Sequence, residues 1–404
     1  MTSNEIKFPV ARCLGSKQTI IMPTLSTAHL SAKKVLIYRV GSLGDTVVAL
    51  PAFRLVARVF PDAERRLLAS FPPNAKAPPS SAVLEHTGLV HGFFRYNLGT
   101  RSVIELIRLW WQLVRWRPRV LIDLSPSSGI SDAKRNALFF RLCGIPRLIG
   151  VPVTEDMQLS RPNVGLPSQS SNAQGVTFEL ECSRLVRNIA ELGDACLDNP
   201  ASWDLKLTPD EHARAAEALA PVGNRPIIAA SLGTKNQAND WGRENWSALF
   251  SRLAELYPTH SLAICGAAVE AQESELVASG WRERSLNPVV NLCGVLRARE
   301  TAAVFERAVL FLGHDSGPMH LAAAVQTRCV AVFSARNPPG VWFPYGTQHR
   351  VLYRRVDCEG CRLNTCIVQK KKCILSITVD EVLAQVVSVL PAASHSDALS
   401  GIGL

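Results

Sequence analysis

Two distant segments share one local grammar: an apolar run of strand length, a polar turn carrying glycine, then a small-residue helical stretch. The first reads Val35-Leu-Ile-Tyr-Arg39-Val-Gly41-Ser42-Leu43-Gly44-Asp45-Thr46. The second reads Leu310-Phe-Leu-Gly-His-Asp315-Ser316-Gly317-Pro318-Met319-His320 and runs on into alanines. In such a unit the unpaired amides of the first helical turn face outward and the helix dipole favours negative charge, so each is a ready anion site. In the second segment Asp315 or Ser316 is placed to cap the helix, Gly317 lets a ligand approach the backbone, and Pro318 suits the first turn. In the first, Asp45 stands at the mouth of the following helix. An Asp- or Ser-capped strand-to-helix turn is also an ordinary structural device. Two of them in one chain point to two βα domains opening on one cleft.

The chain between and after these turns alternates strands and helices, as parallel sheets require. Strands are expected at Val35–Tyr38, Val120–Leu124, Pro226–Ala230, Leu262–Cys265, Val309–Leu312 and Cys329–Phe333, and a helix from Arg101 to Trp116. Residues 72–80 hold four prolines and must be loop. At 404 residues there is length for two cores. The expected division is an extension over 1–31, one Rossmann-like domain over 32–205, a second over 206–390, and a tail over 391–404, with the connection inside 194–224. Ligands bind where such strands end.

Lys plus Arg number 44 against 34 Asp plus Glu, an excess of +10 that favours acidic partners without choosing among them. Residues 1–34 hold no continuous apolar h-region, and nothing approaches the ~18 apolar residues of a membrane span. A soluble cytoplasmic protein is the expectation. The helix Ile104-Glu-Leu-Ile-Arg-Leu-Trp110-Trp111-Gln-Leu-Val-Arg115-Trp116-Arg117 supports two readings. One is a core helix with snorkelling arginines; the other is a face that rests on anionic lipid.

Arg39-Val-Gly-Ser-Leu-Gly44-Asp45, followed by Leu50-Pro51-Ala52, resembles the N-terminal signature of glycosyltransferase family 9, the heptosyltransferases of the lipopolysaccharide inner core. Asp315-Ser-Gly-Pro-Met-His320-Leu-Ala-Ala-Ala, then Val330-Ala-Val-Phe, is similar to that family's C-terminal signature. The resemblance runs from Lys34 to Val386. It implies an α/β fold of GT-B type, two Rossmann-like domains with parallel sheets facing a central cleft. The first domain would bind the acceptor and the second the nucleotide sugar. It implies an inverting transfer, with heptose from ADP-heptose and a lipopolysaccharide core acceptor as the expected substrates. Peripheral contact with the cytoplasmic face of the inner membrane would follow, and no nucleic acid partner. Another nucleotide sugar and a different surface glycan remain the alternative.

Such a reaction needs a base for the acceptor hydroxyl and a cradle for the departing diphosphate. Asp45, a carboxylate beside the turn of Gly41, Ser42 and Gly44, is the base candidate, and the resemblance assigns that motif position the same role. The amides of Ser316 and Gly317 are expected on the diphosphate, with the Ser316 hydroxyl and the His320 imidazole nearby. Asp315 is expected to cap the helix or orient amides, with a contact to the sugar. The family places a lysine shortly before a tryptophan, here Trp241, but Asn239 and Asp240 stand in front of it. Lys235 is the natural substitute, with Thr234 donating its hydroxyl or amide. The family's ribose-binding acid falls at Glu270, with Glu273 as a neighbour easily confused with it. The chain contains no Asp-x-Asp pair, the usual metal hold on a diphosphate. The leaving charge is therefore expected to be met by helix dipole and lysine, with no cofactor in catalysis.

Of eleven cysteines, seven are scattered and four crowd into residues 358–373 as Cys358, Cys361, Cys366 and Cys373. That spacing contains one metal-knuckle pair and admits a structural zinc site as well as free thiols. Lys370, Lys371 and Lys372 are expected to lower the thiol pKa values. Acceptor contacts are expected in loops 72–100 and 125–135, at Arg95, Arg101, Lys134 and Arg135. Two other classes fit the sequence less well. A nucleic-acid binder would need a compact basic module, yet the charge is spread along the chain. A dinucleotide oxidoreductase would need a third glycine in the first turn and an acid at the next strand end, where the chain offers only Asp62 or Glu64 beside Pro61.

Overall fold

The computed structural model describes residues 32–71, 78–97, 100, 102–163 and 176–391. The expectations for 1–31, for 392–404, for most of the proline loop and for Arg101 lie outside the described residues. The first unit runs β1 (Lys34–Arg39), α1 (Leu43–Val48), α2 (Leu50–Val59), β2 (Glu64–Phe71), α3 (Ser81–Leu84), β3 (Gly92–Asn97), α4 (Val103–Trp116), β4 (Val120–Asp123), α5 (Ile130–Leu142), β5 (Arg147–Ile149) and α6 (Glu155–Gln158). A short antiparallel pair, β6 (Pro162–Asn163) with β7 (Thr177–Phe178), leads to α7 (Glu181–Asn188). The second unit runs α8 (Pro209–Ala218), β8 (Ile227–Ser231), α9 (Arg243–Leu256), β9 (Ser261–Ile264), α10 (Ala271–Arg282), β10 (Val289–Asn291), α11 (Ala298–Glu306), β11 (Leu310–His314), α12 (Gly317–Ala324), β12 (Cys329–Phe333), β13 (Arg350–Tyr353), α13 (Lys372–Leu375) and α14 (Val379–Val389).

The first sheet has strand order β3-β2-β1-β4-β5 and the second β10-β9-β8-β11-β12-β13. Every neighbouring pair in both is parallel. Both are doubly wound, as the alternating pattern predicts. The order reverses between β1 and β4 and again between β8 and β11, and crevices for ligands open at such switch points. The two signature turns leave β1 and β11, so each lies at a switch point.

Successive strand residues face opposite ways, and the core follows that rule. Val35 and Ile37 join an apolar cluster that continues into Ile227, Ala229 and Phe311 of the other sheet. Leu36 and Tyr38 point into a separate cluster under α4 and α5, and Ile228 and Ala230 into one under α9 and α14. Covered on both faces, these strands read as unbroken apolar runs.

Arg299 of α11, 3% exposed, ties the connector down. It pairs with Glu211 at 2.6 Å and donates to the carbonyls of Val83, Leu205 and Lys206 at 2.8–3.0 Å. The expected boundary at 205/206 falls inside this clamped stretch. Backbone bonds from Phe178 to Pro339 and from Glu181 to Val341, both 2.8 Å, stitch the units together a second time. Two expected acceptor loops are shorter than the sequence suggested: β3 occupies 92–97 and α5 starts at Ile130. Arg95 therefore sits on a strand, and Lys134 and Arg135 on a helix. No helix among the described residues is long and apolar enough to cross a membrane.

Candidate active site

The two signature turns, separated by most of the chain, touch. A Cβ placed on Gly44 would lie 3.2 Å from the Gly317 Cα and 3.2 Å from the His320 Cδ2, and one on Gly317 would lie 2.8 Å from the Leu43 Cδ2. Glycine at both positions lets the N-terminal turns of α1 and α12 meet backbone to backbone. Gly41 is demanded twice over: its φ is +136°, and a Cβ there would lie 2.4 Å from that of Asp45.

Asp45 holds the third helical position of α1. Its Oδ2 accepts from the Ser42 amide at 2.8 Å and from the Ser42 hydroxyl at 3.1 Å, so it does cap the helix. Its Oδ1 lies 3.9 Å from the Arg39 Nη2, and the side chain stays 24% exposed. Arg39 is fully buried; its Nε and Nη2 donate to the Asp45 carbonyl at 3.0 and 2.7 Å, its Nη1 donates to the Leu124 carbonyl and lies 3.6 Å from Glu181. Burial lowers the Arg39 pKa while Asp45 and Glu181 hold it up. In the sequence Arg39 is one residue of a motif; the fold makes it the bracket that positions Asp45.

At α12, Ser316 occupies the cap position with extended backbone, but neither it nor Asp315 caps the helix with its side chain, contrary to expectation. The Ser316 hydroxyl is buried without a hydrogen-bond partner among the described residues. An orphaned hydroxyl beside unpaired first-turn amides is a site lacking its acceptor. Asp315 is partly buried, and burial pushes its carboxyl up to about 7, with Arg336 and Asn337 opposing and Asp45 adding. At neutral pH it is therefore only partly ionised, which softens its conflict with a diphosphate.

His320 is 5% exposed and packs against Gly44 and the Trp342 ring, 6.4 Å between centroids. Burial drops its pKa to about 4. It is a neutral spacer between α1 and α12, not a cation for phosphate. Its far side lines a cavity of about 260 Å³ with Val47, Asp198 and Tyr345.

The loop after β8 brings the other candidates. The Thr234 hydroxyl donates to the Asn236 carbonyl at 3.1 Å and accepts its amide at 3.3 Å, so it shapes the turn. Lys235 is exposed at the turn's tip. Asn239, standing where the family's lysine is expected, is buried; its amide donates to the Asp315 carbonyl at 3.3 Å and its carbonyl accepts from Ser334. It buttresses the α12 turn and carries no charge. Glu270 sits squarely at the ends of β8 and β9: a Cβ on Gly233 would lie 1.9 Å from its Oε1 and one on Gly266 2.3 Å from its Oε2. Glu273 instead pairs with Arg243 on the surface at 2.6 Å. The fold thus separates two glutamates the sequence could not.

The Cys-rich segment straps this edge. The Ala238 amide donates to Asn364, the Cys366 amide to Gln237, and the Gly360 amide to Ala335, all at 2.8–3.1 Å. Arg336, beside Asp315, donates to Leu363, Arg362 and Asn364 of the strap at 2.9–3.1 Å. Lys371 reaches the Asp240 carbonyl and carboxylate at 2.8 and 3.0 Å, and Lys372 pairs with Asp357. The side chains of Lys371 and Lys372 thus face carboxylates. Contrary to the expected lowering, burial pushes the Cys373 thiol up. Cys358, Cys361, Cys366 and Cys373 are free thiols lining one small cavity. Among the described residues no three His, Cys, Asp or Glu side chains are placed to hold a metal ion, so the geometry lends the zinc expectation no support.

Residues 173–372 match the family described as glycosyltransferase family 9 (heptosyltransferase). A lipooligosaccharide heptosyltransferase 2 of Campylobacter jejuni is 25% identical over 39% of this chain and 50% of its own length. The chain spans no more than half the length of the curated relatives it matches. Among solved structures, Escherichia coli ADP-heptose lps heptosyltransferase II superimposes with a TM-score of 0.60 at 17% identity, covering 88% of this chain and 98% of that one. Escherichia coli heptosyltransferase WaaC, solved with ADP-2-deoxy-2-fluoro heptose, gives 0.54 at 16% identity over 87% and 98%. These likenesses bear out the GT-B-type α/β fold. The sequence match over residues 173–372 makes that part of the chain similar to glycosyltransferase family 9.

Proposed function

We propose that the chain is an inverting glycosyltransferase that moves heptose from ADP-heptose onto a lipopolysaccharide core acceptor in the cytoplasm, with Asp45 as general base. The observation that carries this reading is the Gly44–Gly317 contact. It brings a part-exposed carboxylate next to a helix N-terminus whose serine hydroxyl has no partner among the described residues. In a single displacement the acceptor oxygen attacks the anomeric carbon from the face opposite the diphosphate, which inverts the centre. The acceptor proton passes to the Asp45 carboxylate as the bond to the diphosphate breaks. The charge left on that diphosphate is taken by the α12 amides and the Ser316 hydroxyl. Lys235 approaches from the solvent side, Glu270 holds the ribose diol, and partly protonated Asp315 contacts the sugar.

The names of the relatives and the ADP-sugar in one structural neighbour support the donor and the acceptor class. The reading requires no metal in catalysis, as the lack of an Asp-x-Asp pair suggests. A thermal-shift panel of ADP, ADP-heptose, UDP and GDP, with and without EDTA, tests it. A ligand at 100 times its Kd should stabilise the fold by about 2.7 kcal/mol. Stabilisation by ADP and ADP-heptose that survives EDTA is the expected result. A preference for UDP or GDP would overturn the donor, and loss of the shift in EDTA would overturn the metal-free cradle.

A further inference from the structure

Only one face of α4 is used by the fold. Leu109, Leu113 and Trp116 are buried against the first sheet, while Ile104, Ile107 and Trp111 stand 71%, 58% and 54% exposed. Their spacing of three and four residues sets them in one stripe on the outer side. The Trp110 indole N–H donates to the Leu142 carbonyl at 3.0 Å, joining α4 to α5, where Leu138 and Leu142 are 60% and 66% exposed. A contiguous apolar surface of this kind is seldom left to water.

Its rim is strongly cationic. Segments 103–119 and 130–142 together hold seven basic residues against two acidic ones. Both acids are engaged: Glu105 accepts from Asn97 at 3.0 Å and Asp132 pairs with Arg135 at 2.9 Å. Arg108 and Arg115 border the stripe, and the Arg115 guanidinium lies 5.2 Å from the centre of the Trp111 ring. Apolar bulk and tryptophan with arginine alongside suit a helix lying in a lipid interface, apolar side chains among the acyl chains and guanidinium groups at the phosphates.

We infer that the outer face of α4, extended by Leu138 and Leu142 of α5, docks on an anionic lipid bilayer. The charge complementarity of this rim chooses the bilayer over a second copy of the chain, whose matching face would set Arg108 and Arg115 against their own copies. Because β3 runs parallel to β1, α4 starts at the same sheet edge from which Asp45 is presented. Docking there sets the rim of the cleft at the lipid surface. That orientation rests on the lipid-borne acceptor proposed above, whereas the binding does not.

The test is flotation of the full chain with phosphatidylcholine vesicles containing about 30 mol% phosphatidylglycerol, against phosphatidylcholine alone. The expected result is binding to the anionic vesicles only, weakened by salt. The I104S/I107S/W111S variant and the R108E/R115E variant should each bind about tenfold or more weakly. All five positions are exposed, so melting temperature and the ADP-induced shift should stay at the wild-type values, which scores donor binding separately from docking. No binding to anionic vesicles, equal binding to neutral ones, or wild-type binding by both variants would overturn the inference. So would a wild-type dimer in size-exclusion chromatography that the apolar variant converts to monomer.

Discussion

Glycine at 233 makes room for the Glu270 carboxylate. A Cβ at that position would lie 1.9 Å from Oε1 and 2.2 Å from Oε2. Gly233 is not among the described glycines with positive φ, so the backbone accepts alanine and the side chain of Glu270 must give way. Restoring van der Waals separation takes a retreat of roughly 1.5 Å, enough to break a hydrogen bond of normal length. A carboxylate bridging a ribose diol makes two charge-assisted bonds worth about 1.5 kcal/mol each at a part-exposed site. Gly233→Ala should then cost about 2–3 kcal/mol of ADP affinity, a rise in Kd of roughly 30- to 150-fold. Glu270→Ala should cost the same, and the double variant no more than either single one, since both remove one interaction. Titration calorimetry with ADP measures all three. The reasoning fails if Gly233→Ala binds ADP as the wild type does, or if the two losses add.

Asp315 sits at about 7 in the fold, so a diphosphate beside it should bind less well as pH rises through 7. Asp315→Asn should flatten that profile, and an unchanged slope would remove Asp315 from the diphosphate's neighbourhood. Burial holds His314, His320 and His349 at about 4, below their unfolded value near 6.5, so each costs stability as pH falls through that window. Asp123 and Asp315, raised to about 6 and about 7, return stability over the same range. Three histidines against two carboxyls leave a net loss of stability as pH falls from 6 to 4, and carboxylates held low, among them Glu211, Glu300 and Glu381, add to it. Denaturant unfolding at pH 6, 5 and 4 should show that decline, and constant stability would contradict it. Gly44→Ala sets a methyl 3.2 Å from Gly317 and His320, a tight fit that should cost about 1–3 kcal/mol of stability. A melting temperature equal to the wild type would mean that α1 and α12 do not meet as closely as described.

Both sheets were legible because buried parallel strands announce themselves as apolar runs, and both glycine turns because their chemistry is local. What joins the turns was not: the Gly44–Gly317 contact depends on how two domains pack, and no periodicity encodes it. The burial of His320 was illegible for a related reason. From Met319 to Ala324 every residue of α12 is buried, so the helix has no polar face on which a histidine would declare itself. Asn239, Arg336 and Lys371 meet at one edge only because β12 and the Cys-rich strap fold back over the loop after β8. The stripe of α4 left both readings open in sequence because a helix apolar on two faces shows the same residue types on both.

The central claim is that Asp45 is the base and not merely a cap. Asp45→Asn separates the two, because the amide oxygen can still accept from the Ser42 amide while the group no longer takes a proton at neutral pH. The decisive measurement is single-turnover transfer from ADP-heptose to a lipopolysaccharide core acceptor, alongside the donor Kd for the same variant. The account predicts a donor Kd within about twofold of wild type and a transfer rate lower by 10²-fold or more. Transfer at the wild-type rate would leave Asp45 a helix cap and move the base elsewhere.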